Sequence, residues 1–202
     1  MTDFVRTNGK GDFLAWPVSQ AQKEQSKYPE RFFAPVLPSL KPEHDALTQT
    51  VVRREPTEDG DGFHEAWAVL DKTFDAIKSD VIALLADLRW QRETGGIEVG
   101  GLPVRTDRET QGSISRARQS FKEGDLTSVR WKLSDAQRIT LGEAQLDGIA
   151  GAVTAHVAAC FDAEGDVADL VFAAADIAAL TAIDINAEFE TAYTAAMTAA
   201  MS

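Results

Sequence analysis

Apolar side chains recur every three or four positions in two stretches of the chain, and this spacing predicts amphipathic helices. The first helix is expected to end at Gly95 and Gly96, which suit a helix C-terminus. Its apolar stripe comprises Phe74, Ile77, Val81, Leu84 or Leu85, and Leu88. The stripe of the second helix comprises Leu146, Ile149, Val153, Val157 and Phe161.

Between these helices, a Gly-Gly pair at residues 100–101 is flanked by short apolar runs and predicts a β-hairpin. Both central residues of such a turn require a positive φ, which glycine adopts without steric cost. A turn at this position pairs Val99 with Leu102 and Ile97 with Val104. The four apolar side chains then share one face of the hairpin.

A second hairpin is predicted farther along the chain. An odd-numbered loop, such as one of three residues, pairs Trp131 with Ile139 and Val129 with Leu141. A two-residue loop would instead set polar side chains opposite this apolar set. The odd-numbered loop is therefore expected.

Capping-box spacing follows the first hairpin at Thr106 and Glu109 and follows the second at Thr140 and Glu143. Each box predicts the start of a helix. The helix after the first box is expected to bury Ile114, Ala117 and Phe121. Residues 97–162 are thus predicted to follow the order β-β-α-β-β-α.

The first 47 residues show no regular period. Their prolines remove backbone donors and restrict the preceding residues, which argues against a long helix or a central strand between Pro29 and Pro42. The segment is nevertheless rich in aromatic side chains, so we expect an extended arm that docks either on its own domain or on a neighbouring subunit. The candidate interface residues in this arm are Phe13, Trp16, Tyr28, Phe32 and Phe33.

A hairpin with a long polar loop is predicted from strand-like runs at residues 50–53 and 63–69. After Gly165 the chain is rich in alanine, and its high helix propensity predicts short helices. Such helices have a thin apolar stripe, so packing on a partner subunit is expected. The interface candidates in this tail are Phe189, Tyr193 and Met197.

The predicted fold class is α+β, with a small β-β-α-β-β-α domain after a long helix. An extended Pro-rich N-terminal arm precedes it and an Ala-rich helical C-terminal tail follows it. The predicted segments are a docking arm (1–47), a β-hairpin plus long helix (48–93), a compact α+β domain (94–165) and a helical tail (166–202).

The formal net charge is −12, which repels both phosphate backbones and anionic lipid. Neither nucleic acid nor a membrane is therefore expected as a partner. The longest apolar stretches are interrupted by Asp, so no membrane insertion is expected. The single cysteine, Cys160, excludes an intramolecular disulfide and a cysteine-based metal framework.

His156 and Cys160 are spaced in a way that could support a metal site or a catalytic pair. Their i, i+4 spacing places them on the same helix face, as half of a metal site or a Cys-His pair would require. No second cysteine exists, and neither His44 nor His64 lies on a predicted helix. A hydrogen-bonded structural histidine is therefore expected, with no catalytic residue, no cofactor and no metal.

Residues 90–162 resemble an uncharacterised domain family that is common in phage tail fibre and tail-fibre assembly proteins. The resemblance rests on Trp90 to Ile97, Arg105 to Arg108, Arg130 to Lys132 and the helix ending at Phe161. Residues 42–51 and 67–69 are similar to the N-terminal hairpin of small phage tail proteins, and 179–184 to a short helical tail after such domains.

This resemblance implies a structural component of a tailed-phage tail, in the tail tip, baseplate or fibre base. It implies other phage tail proteins as partners and a homo-oligomer, with a trimer favoured. The chain would be made in the host cytoplasm and reside in the virion tail. The alternative is a transient tail-fibre assembly chaperone. A less favoured alternative is an enzyme acting on host glycans, which requires aromatic side chains around two carboxylates in a groove.

Overall fold

The computed structural model describes residues 3–132 and 138–200, and it confirms the predicted α+β class. The chain divides into two compact units, Met1–Thr73 and Phe74–Ser202. This division differs from the predicted segments, since residues 1–47 belong to the same unit as the first long hairpin.

The N-terminal unit is a five-stranded sheet in the order β2-β1-β3-β5-β4. All neighbouring strands are antiparallel except the parallel pair β3 and β5. The strands are β1 (Phe4–Thr7), β2 (Phe13–Val18), β3 (Phe33–Leu37), β4 (Gln49–Asp59) and β5 (Gly62–Asp71). A short helix, α1 (Gln20–Gln25), and a 3₁₀ turn at Glu30–Phe32 connect β2 to β3.

The predicted docking arm is wrong in one respect, because its residues form strands of this sheet. β3 contains Pro35 and is nevertheless the middle strand. The Val36 amide donates to the Asp3 carbonyl on the β1 side, at 2.9 Å. Amides alternate in direction along a strand, so the donor that Pro35 lacks would point away from β1. Pairing with β5 begins only at Val36, so no ladder hydrogen bond is lost.

The predicted hairpin of residues 50–53 and 63–69 is present, but its polar loop is much shorter than expected. β4 continues through Pro56 to Asp59, which pairs with Gly62. The register shifts between Arg54 and Thr57, so Pro56 lies in an irregular part of the ladder, where a missing amide is tolerated. A small core formed by Val5, Val36 and Phe63 packs against Phe13, Trp16 and Ala34.

The C-terminal unit contains two hairpins, each followed by a helix, and a helical C-terminal region. Its helices are α2 (Phe74–Thr94), α3 (Arg108–Lys122), α4 (Glu143–Ala173), α5 (Ile177–Thr181) and α6 (Ile185–Ala200). Its strands are β6 (Ile97–Val99), β7 (Leu102–Val104), β8 (Val129–Lys132) and β9 (Arg138–Leu141).

Both predicted hairpin registers are confirmed. Val99 pairs with Leu102 and Ile97 with Val104, and both turn glycines have positive φ. In the second hairpin, Trp131 pairs with Ile139 and Val129 with Leu141. The predicted loop itself lies outside the described residues.

Helix α4 runs through two separate cores. Its first half packs with α3 and the hairpins around Leu146, Ile149 and Val153. Its second half packs with α2 and α6 through small side chains, Ala159, Cys160 and Ala163 among them.

The predicted stripe of α4 is therefore wrong at its end, where Phe161 is 49% exposed. The predicted boundary between the compact domain and the helical tail, after Gly165, falls inside a helix, because α4 continues to Ala173. Glycine costs about 1 kcal/mol in a helix interior. Burial of Ala163 and Val167 on either side offsets that cost.

The helix starts also differ from the predicted capping boxes by one or two residues. Asp107 caps α3, because its carboxylate accepts from the Thr110 amide at 3.0 Å. Gly142 precedes α4, and its amide donates to the Gln145 side chain at 3.1 Å. Thr106, the expected cap of α3, is completely buried and makes other bonds.

Replacing Leu146 tests this account of α4. Leu146→Ala removes a side chain with no exposed surface and should lower the free energy of unfolding by about 2–5 kcal/mol. Leu170→Ala, on the same helix at a position 46% exposed, should cost only about 0.5 kcal/mol. Urea unfolding monitored by circular dichroism measures both, and equal losses would contradict the two-core packing.

Candidate functional site

Several polar groups surround His156 in the C-terminal unit, and its side chain has no exposed surface. Imidazole Nδ1 lies 2.8 Å from the Tyr193 hydroxyl oxygen. Nε2 lies 3.1 Å from the Arg92 carbonyl oxygen and 3.2 Å from that of Glu93. We call these residues, together with Thr106, the His156 network.

The partners of His156 fix its tautomer. Carbonyl oxygens only accept hydrogen bonds, so Nε2 carries the proton and donates it toward Arg92 and Glu93. Nδ1 is then an acceptor, and the Tyr193 hydroxyl donates to it. The ring is neutral in this arrangement and both of its nitrogens have partners.

The carbonyls of Arg92 and Glu93 belong to the last turn of α2, where a helix has no internal donors left. His156 supplies one from α4. The Thr106 hydroxyl supplies another to the Glu93 carbonyl and accepts from the Gly96 amide at 3.0 Å. Two residues distant in sequence therefore close the C-terminus of α2.

Gly96 makes this closure possible. Its φ is +90°, and a Cβ there would lie 3.1 Å from the Val104 carbonyl oxygen. A larger residue would meet both backbone strain and a close contact with fixed backbone. The chain can thus turn directly from α2 into β6.

The charged side chains of the network form ion pairs with their neighbours. Glu93 is buried and pairs with Arg89, whose Nε also lies 3.1 Å from Glu164 on α4. The Arg92 guanidinium carbon lies 4.3 Å from the centre of the Tyr193 ring, within cation–π range. Arg92 Nε lies 3.4 Å from Glu190 on α6. Ion pairs therefore connect α2 to both α4 and α6.

Burial sets the protonation states of the network. Desolvation lowers the pKa of His156, assisted by the nearby Arg92 guanidinium and opposed by the hydrogen bonds to the two carbonyls. Desolvation also raises the pKa of Tyr193, and it raises that of the Cys160 thiol to about 11. All three side chains are therefore neutral at pH 7.

Cys160 Sγ lies 4.0 Å from both nitrogens of His156, but the pair is not arranged for catalysis. A nucleophilic cysteine needs a thiolate and access to substrate. Here the thiol is protonated and neither side chain has exposed surface. Within residues 3–132 and 138–200, no group of three or more His, Cys, Asp or Glu is placed to hold a metal ion.

The interface candidates of the C-terminal tail occupy different environments. Phe189 is completely buried and Tyr193 is 7% exposed, so both are core residues of their own chain. Their assignment as interface residues is corrected accordingly, since α6 folds back onto α4. Met197 is partly buried against the same core.

The candidates in the N-terminal unit remain closer to the surface. Phe13 and Trp16 pack against its small core and are partly exposed. Tyr28 is 53% exposed, and its ring centre lies 5.9 Å from that of Phe32 with the two planes tilted by 41°. Phe33 is partly exposed on β3.

Sequence reasoning identified His156 but missed Thr106, Glu93 and the link to Tyr193. The spacing from Thr106 to Glu109 imitates a capping box, which concealed its tertiary role. The available signal for the network was a histidine within the apolar stripe of α4.

Removing the Tyr193 hydroxyl should destabilise the unit. Tyr193→Phe keeps the ring but leaves His156 Nδ1 without a donor, at a cost of about 1–3 kcal/mol. Tyr28→Phe is the matched control, since Tyr28 is 53% exposed, and it should change the free energy of unfolding by only about 0.5 kcal/mol. Equal effects in urea unfolding would contradict the buried hydrogen bond.

The depressed pKa of His156 predicts a pH dependence. As pH falls below 6.5, the unfolded chain takes up the proton before the folded chain does. The contribution of His156 to the free energy of unfolding is fully present above pH 6.5. Below that pH it should fall by at most about 1.4 kcal/mol per pH unit. Urea titrations of the wild type and of His156→Gln at several pH values measure this term.

His156→Gln should lose this part of the pH dependence, whereas His44→Gln, at an exposed position, should keep it. If His156→Gln and His44→Gln had the same pH profile, the neutral buried imidazole would be excluded.

Comparison with known families gives one match. Residues 76–195 match the model described as Domain of unknown function (DUF4376), which covers more than half of the chain. No curated protein matches the sequence. No solved structure matches it either. Among the described residues, no helix combines the length and apolar character required to cross a bilayer.

Proposed function

The chain belongs to the DUF4376 family, and from that premise we propose that it is a structural component of a tailed-phage tail. Its place is the tail tip, the baseplate or the fibre base, and it acts by protein–protein assembly. The resemblance of residues 90–162 to a domain common in phage tail fibre and tail-fibre assembly proteins supports the phage assignment. The partners are other tail proteins.

The main observation in support of an assembly role is the buried position of the reactive side chains in the C-terminal unit. His156, Cys160 and Tyr193 lie inside, where they hold α2, α4 and α6 together. Catalysis requires such groups at a surface that substrate can reach. Their burial favours a rigid framework whose outer surfaces make the functional contacts.

The sheet of the N-terminal unit offers one such surface. β4 is 11 residues long and forms one edge of the five-stranded sheet. Among residues 3–73, no strand pairs with the outer backbone groups of β4, so they can accept a strand from another protein. Pairing of this kind is suited to permanent assembly.

The assembled form we propose is a homotrimer in the virion tail, made in the host cytoplasm and incorporated during tail assembly. Phage tails commonly have three-fold symmetric tips, and a symmetric oligomer is the common way to build such a tip from one chain.

Particle composition tests the proposal. Virions purified through a density gradient should contain this 21.9 kDa chain in a fixed ratio to other tail proteins, on denaturing gels and by mass spectrometry. Its presence in infected-cell extracts together with its absence from purified virions would contradict a structural role and indicate a transient assembly chaperone.

A further inference from the structure

Charge is strongly segregated along the C-terminal unit. Lys and Arg are absent from residues 139–202, whereas Asp and Glu are frequent there. The preceding stretch, residues 105–138, is the most basic part of the chain. The fold therefore places cations around α3 and the second hairpin and carboxylates on α4 and α6.

The acidic side has a defined groove between α4 and α6, of about 610 Å³. Its floor consists of small residues, which allow another chain to approach closely: Gly165, Ala192, Ala195, Ala196 and Ala199. Exposed Asp162, Asp166 and Asp169 line the α4 side, together with the half-exposed Phe161.

The three aspartates lie at i, i+4 and i+7, so they share one helix face over about 10 Å. Like charges at this spacing repel one another. Within residues 3–132 and 138–200, no Lys or Arg forms an ion pair with Asp162, Asp166 or Asp169. A cationic surface placed in the groove would relieve that repulsion.

The second hairpin presents such a surface. Arg130 pairs with Thr140 and Lys132 with Arg138, and all four side chains are exposed. The alternate positions, with Trp131 and Ile139 among them, pack against the core, so the cations share the outer face. Arg130 and Lys132 are two residues apart, or about 7 Å along the strand. This length is comparable to the roughly 10 Å covered by the three aspartates.

These two surfaces cannot meet within one molecule. The hairpin adjoins the start of α4 at Glu143, whereas Asp162 lies about 28 Å farther along the helix. A contact between them requires two copies, with the hairpin of one copy in the groove of the next. Such a head-to-tail contact closes into a ring when the rotation between copies allows it.

We propose that a second copy of this chain occupies the α4–α6 groove, through the cationic outer face of its β8–β9 hairpin. This inference rests on the proposed function, because it takes the chain to be one that self-assembles. It specifies which surfaces make the contact.

Charge reversal of the full-length chain tests this contact. Asp162→Lys with Asp166→Lys makes the groove cationic, and Arg130→Glu with Arg138→Glu makes the hairpin anionic. Each double variant then carries one sign on both surfaces, so its self-association should weaken by about tenfold or more, since facing like charges disfavour a complex. An equimolar mixture of the two should associate again, because their surfaces are complementary.

Analytical ultracentrifugation at low and physiological ionic strength measures the association, and circular dichroism checks that each variant folds. Wild-type association should be stronger at low salt, because the Debye length is then about 30 Å instead of about 8 Å and the charges are screened less. Asp61→Lys with Asp87→Lys is the matched control. It changes the net charge as the groove variant does, but at exposed positions outside both surfaces, and it should associate like the wild type.

The outcomes separate the two proposals. Oligomers that persist in both reversed variants would overturn this contact and leave the proposed structural role intact. A wild-type chain that remains monomeric at every concentration and ionic strength would also overturn the contact, while virion composition would still decide the structural role. If each variant lost self-association and the mixture of the two recovered it, the proposed contact would be supported.

Discussion

The carbonyl end of α2 is the constraint on which the C-terminal unit depends. The last carbonyls of a helix have no internal donors, and an end that is buried cannot rely on water for them. His156 and Thr106 provide the missing donors from α4 and from the segment after β7. The second nitrogen of His156 then needs a donor of its own, and Tyr193 on α6 provides it. One hydrogen-bonding requirement thus connects four parts of the unit.

This constraint also bears on function. The reactive side chains of His156 and Cys160 are neutral and inaccessible, so they serve packing and helix capping. The surfaces that we propose for partners are a sheet edge at β4, an acidic groove and a cationic hairpin face. All three are suited to binding protein chains. An assembly role is therefore consistent with both the interior and the exterior of the molecule.

Local rules predicted much of this fold, and long-range packing accounts for the rest. The register of β6 and β7 was predictable because side chains alternate along a strand and the Gly-Gly pair allows only certain turns. Pro35 in a central strand was not, since it depends on where two neighbouring strands begin to pair. The continuation of α4 beyond Gly165 depends likewise on burial against α6. The partners of His156 lie 37 to 64 residues away, beyond the reach of any periodic pattern.

The protonation of the His156 ring tests the central claim most directly. In ¹⁵N-labelled protein, two-bond correlations from the ring protons distinguish the two neutral tautomers and the imidazolium. The account predicts a neutral ring at pH 7 with its proton on Nε2 and with slow exchange of that proton. A ring protonated on Nδ1, a charged ring, or a rapidly exchanging proton would contradict a histidine that caps α2 from inside the core.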